Sequence, residues 1–355
     1  MKLGVYRLLV CALAALIGSE VTAAEGNASV AVAGESLLLA GTMPGRLCFD
    51  AVTVTAVRST YDPAAPGSVA YEPGKDYVLD PAAGTIARTP DSRIPDFATN
   101  VLYGQKNFDH SKFPGYGNLK FFVYVDYTTP KGHPLTAPTD QAARFTALCA
   151  KLRAGGPFKV LTYGDSISAG GEASTRALCF DERYAAWLRK QYPAAQITVE
   201  NGATGGDSTV QGMQRLEEKV LTRAPDLVLL GFGMNDHNVG GVSIALFKEN
   251  LASMIDQIRA RTGSTVMLFS AFPPNPDWKH SSHRMEQYAA ATQEVADAKG
   301  AGYADVFGVW QRALVRKDLP SLLANNINHP NDYGHGLYLE AIKAVGIDSS
   351  TPTAK

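Results

Sequence analysis

The sequence lacks the marks of several protein classes. Its 355 residues contain four cysteines, and 33 Lys and Arg residues nearly balance 34 Asp and Glu residues, which leaves a formal net charge of −1. Because no cluster of basic residues is present that could follow a phosphate backbone, nucleic acid is not an expected partner. The cysteine spacing fits no zinc-binding pattern, so we expect no metal and no other cofactor.

Long apolar runs are also missing, except near the N-terminus. Lys2 and Arg7 precede an apolar run over residues 8–17, and small residues follow it up to Ala24. This pattern is typical of a secretory signal, and the run is too short to span a bilayer core of about 30 Å. We therefore predict a signal peptide over residues 1–24, no membrane insertion, and a secreted or periplasmic mature protein.

Removal of that peptide would take Cys11 with it and leave Cys48, Cys149 and Cys179. An exported protein can form one disulfide from three cysteines, with one thiol left over. Buried free thiols are the favoured interpretation, and a single disulfide is the alternative.

The remaining chain divides into two parts by its sequence pattern. With 45% hydrophobic and 19% charged residues, it can bury a core. Residues 25–138 carry alternating and β-branched segments between Gly and Pro turns, which predicts a small β-rich domain. The apolar period becomes helical over residues 139–156, which predicts a helical linker. Over residues 157–348, short apolar runs alternate with amphipathic stretches, a pattern that predicts an α/β domain.

Five apolar runs in the second part have the length of strands: 159–163, 197–200, 227–231, 266–270 and 303–306. The amphipathic stretches between them predict helices, and Ser208 with Gln211 can form a capping box at the start of one. Alternating strands and helices indicate a parallel sheet with helices on both faces, which is a three-layer arrangement. Right-handed crossovers bring the turns after these strands to one edge, where the sites of such sheets form.

Three turns at that edge carry groups suited to acyl transfer. Ser166 lies in the turn after the first strand and can present a hydroxyl nucleophile. Gly206, in the turn after the second, offers a backbone N–H group that an oxyanion can approach closely. Asn235, after the third, offers a side-chain amide donor. Each alone could be only a turn residue, but their order at successive strand ends favours a joint role.

His329 can supply the general base that a serine nucleophile needs. It lies in an Asn- and Pro-containing segment shortly before a predicted final helix over residues 336–345. From there it can reach over the same edge of the sheet toward Ser166. His335 is predicted to cap that helix or to pack at its start.

These segments resemble the signature blocks of the SGNH (GDSL-type) hydrolase superfamily, and the resemblance extends over residues 157–348. The residues that carry it are Gly164-Asp165-Ser166, Gly206, Gly233-x-Asn235 and His329. The resemblance implies a flavodoxin-like three-layer sheet and a carboxylic ester hydrolase with Ser166 as nucleophile and His329 as general base. It also implies an oxyanion hole made of the Ser166 and Gly206 N–H groups and the Asn235 amide.

One position departs from the family pattern. The family has Asp three residues before its catalytic His, and this chain has Asn326 at that place. A carboxylate holds the imidazole in the correct tautomer and stabilises the imidazolium, whereas an amide oxygen only orients the ring. We expect Asn326, Asp332 or a backbone carbonyl to fill this role, with Asn326 as the first candidate.

The substrate is less well determined, because one scaffold supports many chemistries. The expected export favours a small acyl ester, foremost an acetyl group on a polysaccharide. Trp278, on the loop after the fourth strand, could stack on a sugar or pack in the core, and the aromatic loop over residues 103–116 could wall the cleft. The alternatives are a lipase or aryl esterase with the same site, and a glycan-binding protein without activity.

Overall fold

The computed structural model describes residues 29–50, 53–130, 135–137 and 139–346. The predicted signal peptide lies outside the described residues. None of the helices within these ranges combines the length and the apolar character that a membrane span requires.

The first part of the chain consists of two small antiparallel sheets. The six strands are β1 (Ser29–Leu38), β2 (Gly45–Arg46), β3 (Thr53–Arg58), β4 (Tyr77–Asp80), β5 (Thr85–Arg88) and β6 (Phe122–Pro130). One sheet has the order β1-β6-β3, and the other has the order β2-β5-β4. In β6, Val123, Val125 and Tyr127 pack in one buried cluster, and Phe122 and Tyr124 on the opposite face pack in a second, so both faces of this strand are covered. This region is the predicted small β-rich part.

The second part is a five-stranded parallel sheet with helices. Its strands are β7 (Gly156–Gly164), β8 (Ala195–Asn201), β9 (Leu227–Gly231), β10 (Thr265–Phe269) and β11 (Gly302–Ala304). The helices are α1 (Thr146–Ala154), α2 (Phe180–Gln191), α3 (Thr209–Lys219), α4 (Ile244–Thr262), α5 (Met285–Lys299), α6 (Val306–Leu314) and α7 (Asp332–Lys343). The spatial order is β8-β7-β9-β10-β11, and the paired strands are parallel. This is the flavodoxin-like order, so the predicted fold class is confirmed.

The burial of these elements follows from their sequence patterns. All five residues of β9 are buried, because it lies inside the sheet and helices cover both faces. In α4, the buried residues recur with the helical period: Phe247, Leu251, Met254, Ile255 and Ile258. Ser243 caps the start of α4 and Gly263 ends it in the left-handed conformation. The predicted capping box of Ser208 and Gln211 begins α3. Cys48, Cys149 and Cys179 are all buried.

The final helix begins earlier than predicted. The sequence pattern predicts a start at Gly336, but α7 begins at Asp332, because the Asn331 side chain accepts a hydrogen bond from the Gly334 N–H at 2.9 Å. This cap moves His335 from the end of a loop into the first turns of the helix. His335 is fully buried there.

A buried polar contact joins the two parts. The Lys317 ammonium, after α6, lies 2.8 Å from Oε1 of Glu35 in β1, and both side chains are fully buried. Tyr127 donates to the other Glu35 oxygen at 2.6 Å, and Lys317 also donates to the Ser36 carbonyl at 2.7 Å. The β-rich part is therefore fixed directly against the segment that precedes His329.

Candidate active site

Ser166 and His329 lie together at the carboxyl edge of the parallel sheet. Ser166 follows β7 by two residues, and His329 precedes α7, so the pair is 163 residues apart in the sequence. Ser166 Oγ is 2.8 Å from His329 Nε2, which is hydrogen-bond distance for a hydroxyl and an imidazole. This is the contact that a serine nucleophile and its general base require.

The turn that carries Ser166 has tight steric requirements. A side chain on Gly164 would overlap the carbonyl oxygen of Gly231 on the neighbouring strand. Asp165 is buried, and its carboxylate accepts a hydrogen bond from the Ile167 N–H at 3.0 Å. Burial raises the pKa of Asp165 to about 7. The buried Asp165 therefore stabilises the turn that carries Ser166.

The two predicted backbone donors of the oxyanion hole are free to bind a ligand. Within the described ranges, the Ser166 and Gly206 N–H groups donate no hydrogen bond to the protein. The Gly206 turn lies against Ser166, since a Cβ on Gly205 would be 3.7 Å from Ser166 Cβ. Gly206 has a φ of 82°, in the left-handed region that glycine adopts without strain.

The Asn235 side-chain amide is held by one hydrogen bond, and its second N–H group remains available to a ligand. Its Nδ2 donates to the Asp207 carbonyl at 2.9 Å, and an amide nitrogen has two N–H groups. The adjacent Asp236 is buried and accepts from the Thr209 N–H at 2.9 Å and the Gly233 N–H at 3.1 Å. Burial raises the pKa of Asp236. Asp236 thereby fastens the turn after β9 to the start of α3.

Asn326 does not reach the imidazole. Its carbonyl accepts from the Asn275 side chain at 2.8 Å, and its side-chain oxygen is buried without a hydrogen-bond partner in the described part of the chain. It lines a cavity of about 430 Å³ together with Leu102 and Leu319. The predicted hydrogen bond between Asn326 and His329 is therefore not formed within the described residues, and Asn326 has a left-handed backbone with a φ of 57°.

The second candidate partner, Asp332, is also committed to another group. Its Oδ1 accepts a hydrogen bond from the Ser174 N–H at 2.8 Å. Asp332 thus ties the first turn of α7 to the loop that follows Ser166, and no hydrogen bond joins it to His329 within the described residues.

The carboxylate that faces His329 is one that the sequence analysis missed. Glu172 Oε1 lies 3.7 Å from His329 Nδ1, and the interaction with His329 lowers the pKa of Glu172. The available signal was a carboxylate in the glycine-containing turn six residues after the serine. Spacing alone did not show that this turn folds back onto His329.

Trp278 is part of the core and does not present a face for sugar stacking. It is 6% exposed, packs with Leu102, Phe108 and Ile327, and its indole N–H donates to His110 Nδ1 at 3.0 Å. The expectation of a Trp278 substrate platform is therefore corrected. The ring instead joins the aromatic loop of the β-rich part to the segment that carries His329.

The arrangement as a whole is suited to acyl transfer. A hydroxyl, a base within hydrogen-bond distance and three donors at the ends of β7, β8 and β9 are the parts that such a reaction uses. Within the described ranges, no group of three or more His, Cys, Asp or Glu side chains comes together as a metal site would require.

Comparison with known sequences identifies the family. Residues 162–337 match the GDSL-like Lipase/Acylhydrolase family. The chain is 31% identical over 133 residues to an arylesterase of Vibrio mimicus, with 35% of this chain and 60% of the arylesterase covered. It is 30% identical over 141 residues to the esterase TesA of Pseudomonas aeruginosa, with 39% of this chain and 67% of TesA covered. An acetylxylan esterase of Geobacillus stearothermophilus is 23% identical over 217 residues, which are 56% of this chain and 98% of that enzyme.

Solved structures are similar over part of the chain. A two-domain esterase active on acetylated mannans superimposes with a TM-score of 0.48 and 21% identity over 59% of this chain and 54% of its own. The acetylxylan esterase of Geobacillus stearothermophilus superimposes with a TM-score of 0.47 and 23% identity over 55% of this chain and 96% of its own.

The predicted family is thus confirmed, and the three relatives are named an arylesterase, an esterase and an acetylxylan esterase. The matched segment spans less than two thirds of the Vibrio arylesterase but two thirds of TesA. By its motifs, its matched residues and its relatives, the chain belongs to the GDSL-like lipase/acylhydrolase family.

Proposed function

We propose that this protein is an exported serine esterase that removes small acyl groups, foremost acetyl, from a carbohydrate. The observation that carries the proposal is the 2.8 Å contact between Ser166 Oγ and His329 Nε2, at the sheet edge where unpaired backbone donors also lie. In this proposal, residues 157–348 form the hydrolase domain, residues 139–156 link it to the β-rich domain of residues 25–138, and residues 1–24 direct export.

The proposed reaction proceeds through an acyl-enzyme. His329 Nε2 takes the Ser166 hydroxyl proton while Oγ attacks the ester carbonyl carbon, and the carbonyl oxygen becomes an oxyanion. Collapse of this intermediate breaks the bond to the alcohol oxygen, which receives the proton from Nε2. Water then attacks the acyl-serine with the same base, and a second collapse releases the acid and restores the hydroxyl.

The donors at the strand ends act on the intermediate. The N–H groups of Ser166 and Gly206 and the second N–H of Asn235 would stabilise the oxyanion. Because the charge develops only in the transition state, such donors raise the rate more than they tighten ground-state binding. The turn positions are fixed before substrate arrives, so little reorganisation is needed.

Two observations favour an acetylated carbohydrate. The acetylxylan esterase relative aligns over 98% of its own length, which is the broadest coverage among the three relatives described. The aromatic loop of the β-rich part packs beside the segment that carries His329, since Phe108 and Ile327 share an apolar cluster against which Tyr116 packs. Burial and, to a smaller extent, the Glu172 carboxylate raise the pKa of Tyr116. We propose that this loop walls the cleft on the side where a polymer extends.

The function is tested with wild-type protein and the Ser166→Ala variant. We expect wild type to hydrolyse p-nitrophenyl acetate, to release acetate from a panel of acetylated polysaccharides, and to be labelled at Ser166 by a fluorophosphonate. Ser166→Ala should lose all three while its circular dichroism and melting temperature stay unchanged. A folded variant with unchanged kcat would show that Ser166 is not the nucleophile, and an unlabelled, inactive wild type would favour a glycan-binding protein.

An aryl esterase is the second candidate, because two of the three relatives bear the names arylesterase and esterase. Both candidates use the same site, so they differ in the acyl and alcohol pockets. A series of p-nitrophenyl esters decides between them. A preference for acyl chains longer than butyryl, without acetate release from any polysaccharide, would favour the aryl esterase.

Export is tested by fractionating cells that express the full chain. We expect the mature protein outside the cytoplasm, with an N-terminus created by cleavage after Ala23 or Ala24. Retention of the intact chain in the cytoplasm would contradict this part of the proposal.

A further inference from the structure

The imidazole of His329 has one nitrogen with a partner and one without. Nε2 contacts the Ser166 hydroxyl, whereas Nδ1 is buried and has no hydrogen-bond partner within the described residues. If Nε2 is to accept the serine proton, the neutral ring carries its own proton on Nδ1. A buried N–H group without an acceptor is unfavourable, so an acceptor that closes on it is expected.

The carboxylate of Glu172 is placed to be that acceptor. Its Oε1 lies 3.7 Å from Nδ1, which is too long for a hydrogen bond but needs a shift of only about 1 Å to become one. The Glu172 side chain is 36% exposed, so it has room to rotate about its terminal torsion. Contacts between catalytic groups are often long in the absence of substrate and shorten when it binds.

The turn before Glu172 is built against the imidazole. The Gly171 N–H donates to the Ser166 carbonyl at 2.9 Å. A Cβ on Gly171 would lie 2.8 Å from that carbonyl oxygen and 3.3 Å from His329 Nδ1 and Cε1. Only a residue without a side chain therefore lets the turn pass this close to the ring.

Two buried groups of α7 anchor the same turn. His335 Nε2 lies 3.3 Å from the Gly171 carbonyl, and Asp332 accepts from the Ser174 N–H at 2.8 Å. The turn is thus held on both sides of Glu172, whose own φ of 67° is in the region that side chains seldom adopt. A non-glycine residue kept in this conformation beside a nucleophile is often there for function.

We propose that Glu172 is the positioning residue of His329, in place of the aspartate that the family has three residues before its histidine; this inference rests on the proposed function. Accepting the Nδ1 proton would hold the ring in the tautomer whose Nε2 can take the serine proton. The carboxylate would also stabilise the imidazolium that forms while Ser166 attacks. Its lowered pKa, caused by the interaction with His329, keeps Glu172 ionised at neutral pH.

The test uses Glu172→Gly, because glycine accepts the left-handed backbone without strain; the substitution removes the carboxylate together with the rest of the side chain. We expect kcat for p-nitrophenyl acetate to fall about 10- to 1,000-fold with KM within about threefold of wild type. The loss should be smaller than for a fully buried triad carboxylate, since Glu172 is partly exposed. Added formate should restore part of kcat in Glu172→Gly, and an equal concentration of chloride should not.

Ala224→Gly is the matched control, since Ala224 also has a positive φ of 46° but lies before β9, at the opposite edge of the sheet. It should keep the wild-type kcat. Asn326→Gly, at a φ of 57°, tests the competing assignment of Asn326 as the partner of His329. Its kcat should fall far less than that of Glu172→Gly.

Wild-type kcat in a folded Glu172→Gly variant, absence of formate rescue, or a larger loss in Asn326→Gly would overturn the assignment of Glu172. In each of these outcomes the fluorophosphonate would still label Ser166 of wild type, so the proposed function would stand. If wild type neither hydrolyses esters nor takes the label, the proposed function fails and the assignment of Glu172 fails with it.

Discussion

At the level of single residues, several N–H groups of the site have no hydrogen-bond acceptor within the described part of the protein. Asn235 donates one N–H group to the Asp207 carbonyl, which leaves its second N–H group for a ligand. The backbone N–H groups of Ser166 and Gly206 donate no hydrogen bond within the described ranges. Such groups are normally paired in a folded protein. In the proposed function, these N–H groups would donate to the oxyanion of the intermediate.

Asn235→Ala tests this interpretation. We expect kcat to fall about 100- to 1,000-fold, because the amide meets charge that exists mainly in the transition state. KM should change little for the same reason. Steady-state kinetics with p-nitrophenyl acetate measure both constants, and circular dichroism checks that loss of the Asp207 contact has not unfolded the turn. An effect confined to KM would show that Asn235 holds the substrate instead.

At the scale of elements, α7 brings a fully buried histidine into the wall of the site. His335 stacks near Phe180, with ring centroids 6.0 Å apart, and its Nε2 lies 3.3 Å from the Gly171 carbonyl. Burial lowers the pKa of His335 to about 3. The helix therefore contributes a neutral imidazole that supports the turn of Glu172 without titrating near neutral pH.

This burial predicts a pH dependence of stability. The pKa of His335 is depressed on folding, so between pH 3 and about 6.5 the unfolded chain binds a proton that the folded chain does not. The free energy of unfolding should therefore fall as the pH falls through this range. Each unit of difference between the folded-state and unfolded-state pKa of His335 changes the free energy of unfolding by about 1.4 kcal/mol, so the effect should be measurable.

His335→Gln isolates the effect, because the amide can donate to the Gly171 carbonyl but does not titrate. We expect the variant to lose less stability than wild type when urea unfolding is compared at pH 7 and pH 4. His237, whose pKa burial lowers to about 4, is present in both proteins and cancels. Parallel pH curves would show that His335 does not contribute to acid unfolding.

Across the whole molecule, the β-rich part helps to hold the segment that carries His329. The Asn118 N–H donates to the Ala324 carbonyl at 2.6 Å, and its side chain donates to the Leu323 carbonyl at 2.8 Å. The Ala324 N–H in turn donates to the His329 carbonyl at 2.9 Å. The β-rich part thus fixes the segment on which His329 lies.

The buried Glu35–Lys317 pair should be essential to this junction. We expect Lys317→Met to lower the free energy of unfolding by about 3–5 kcal/mol, because it leaves the Glu35 carboxylate buried without its cation. The double variant Glu35→Gln/Lys317→Met should be more stable than Lys317→Met alone, since no unpaired charge remains. Urea unfolding measures both. Equal stabilities for the single and double variants would mean that the pair is not coupled.

Much of the fold was predictable because it depends on local patterns. An apolar run such as residues 227–231 must be buried on both faces, and an inner strand covered by helices on both sides is buried in this way. The blocks around Ser166, Gly206 and Asn235 follow successive strands, and the right-handed crossover rule alone brings them to one edge. The early start of α7 was missed, because Asn331 could be recognised as its cap only from its contact with Gly334.

Order along the chain predicts the parallel sheet, the family, and the blocks around Ser166, Gly206, Asn235 and His329, because each block lies next to its own strand or helix. Which group faces the second nitrogen of His329, and which aromatic rings are exposed, depends on the folded chain. Asn326 has the expected spacing, yet no hydrogen bond joins it to His329 within the described residues, while the turn after Ser166 brings Glu172 Oε1 to 3.7 Å from His329 Nδ1. Such outcomes depend on side-chain direction and on packing between segments distant in the sequence, and no local pattern encodes them.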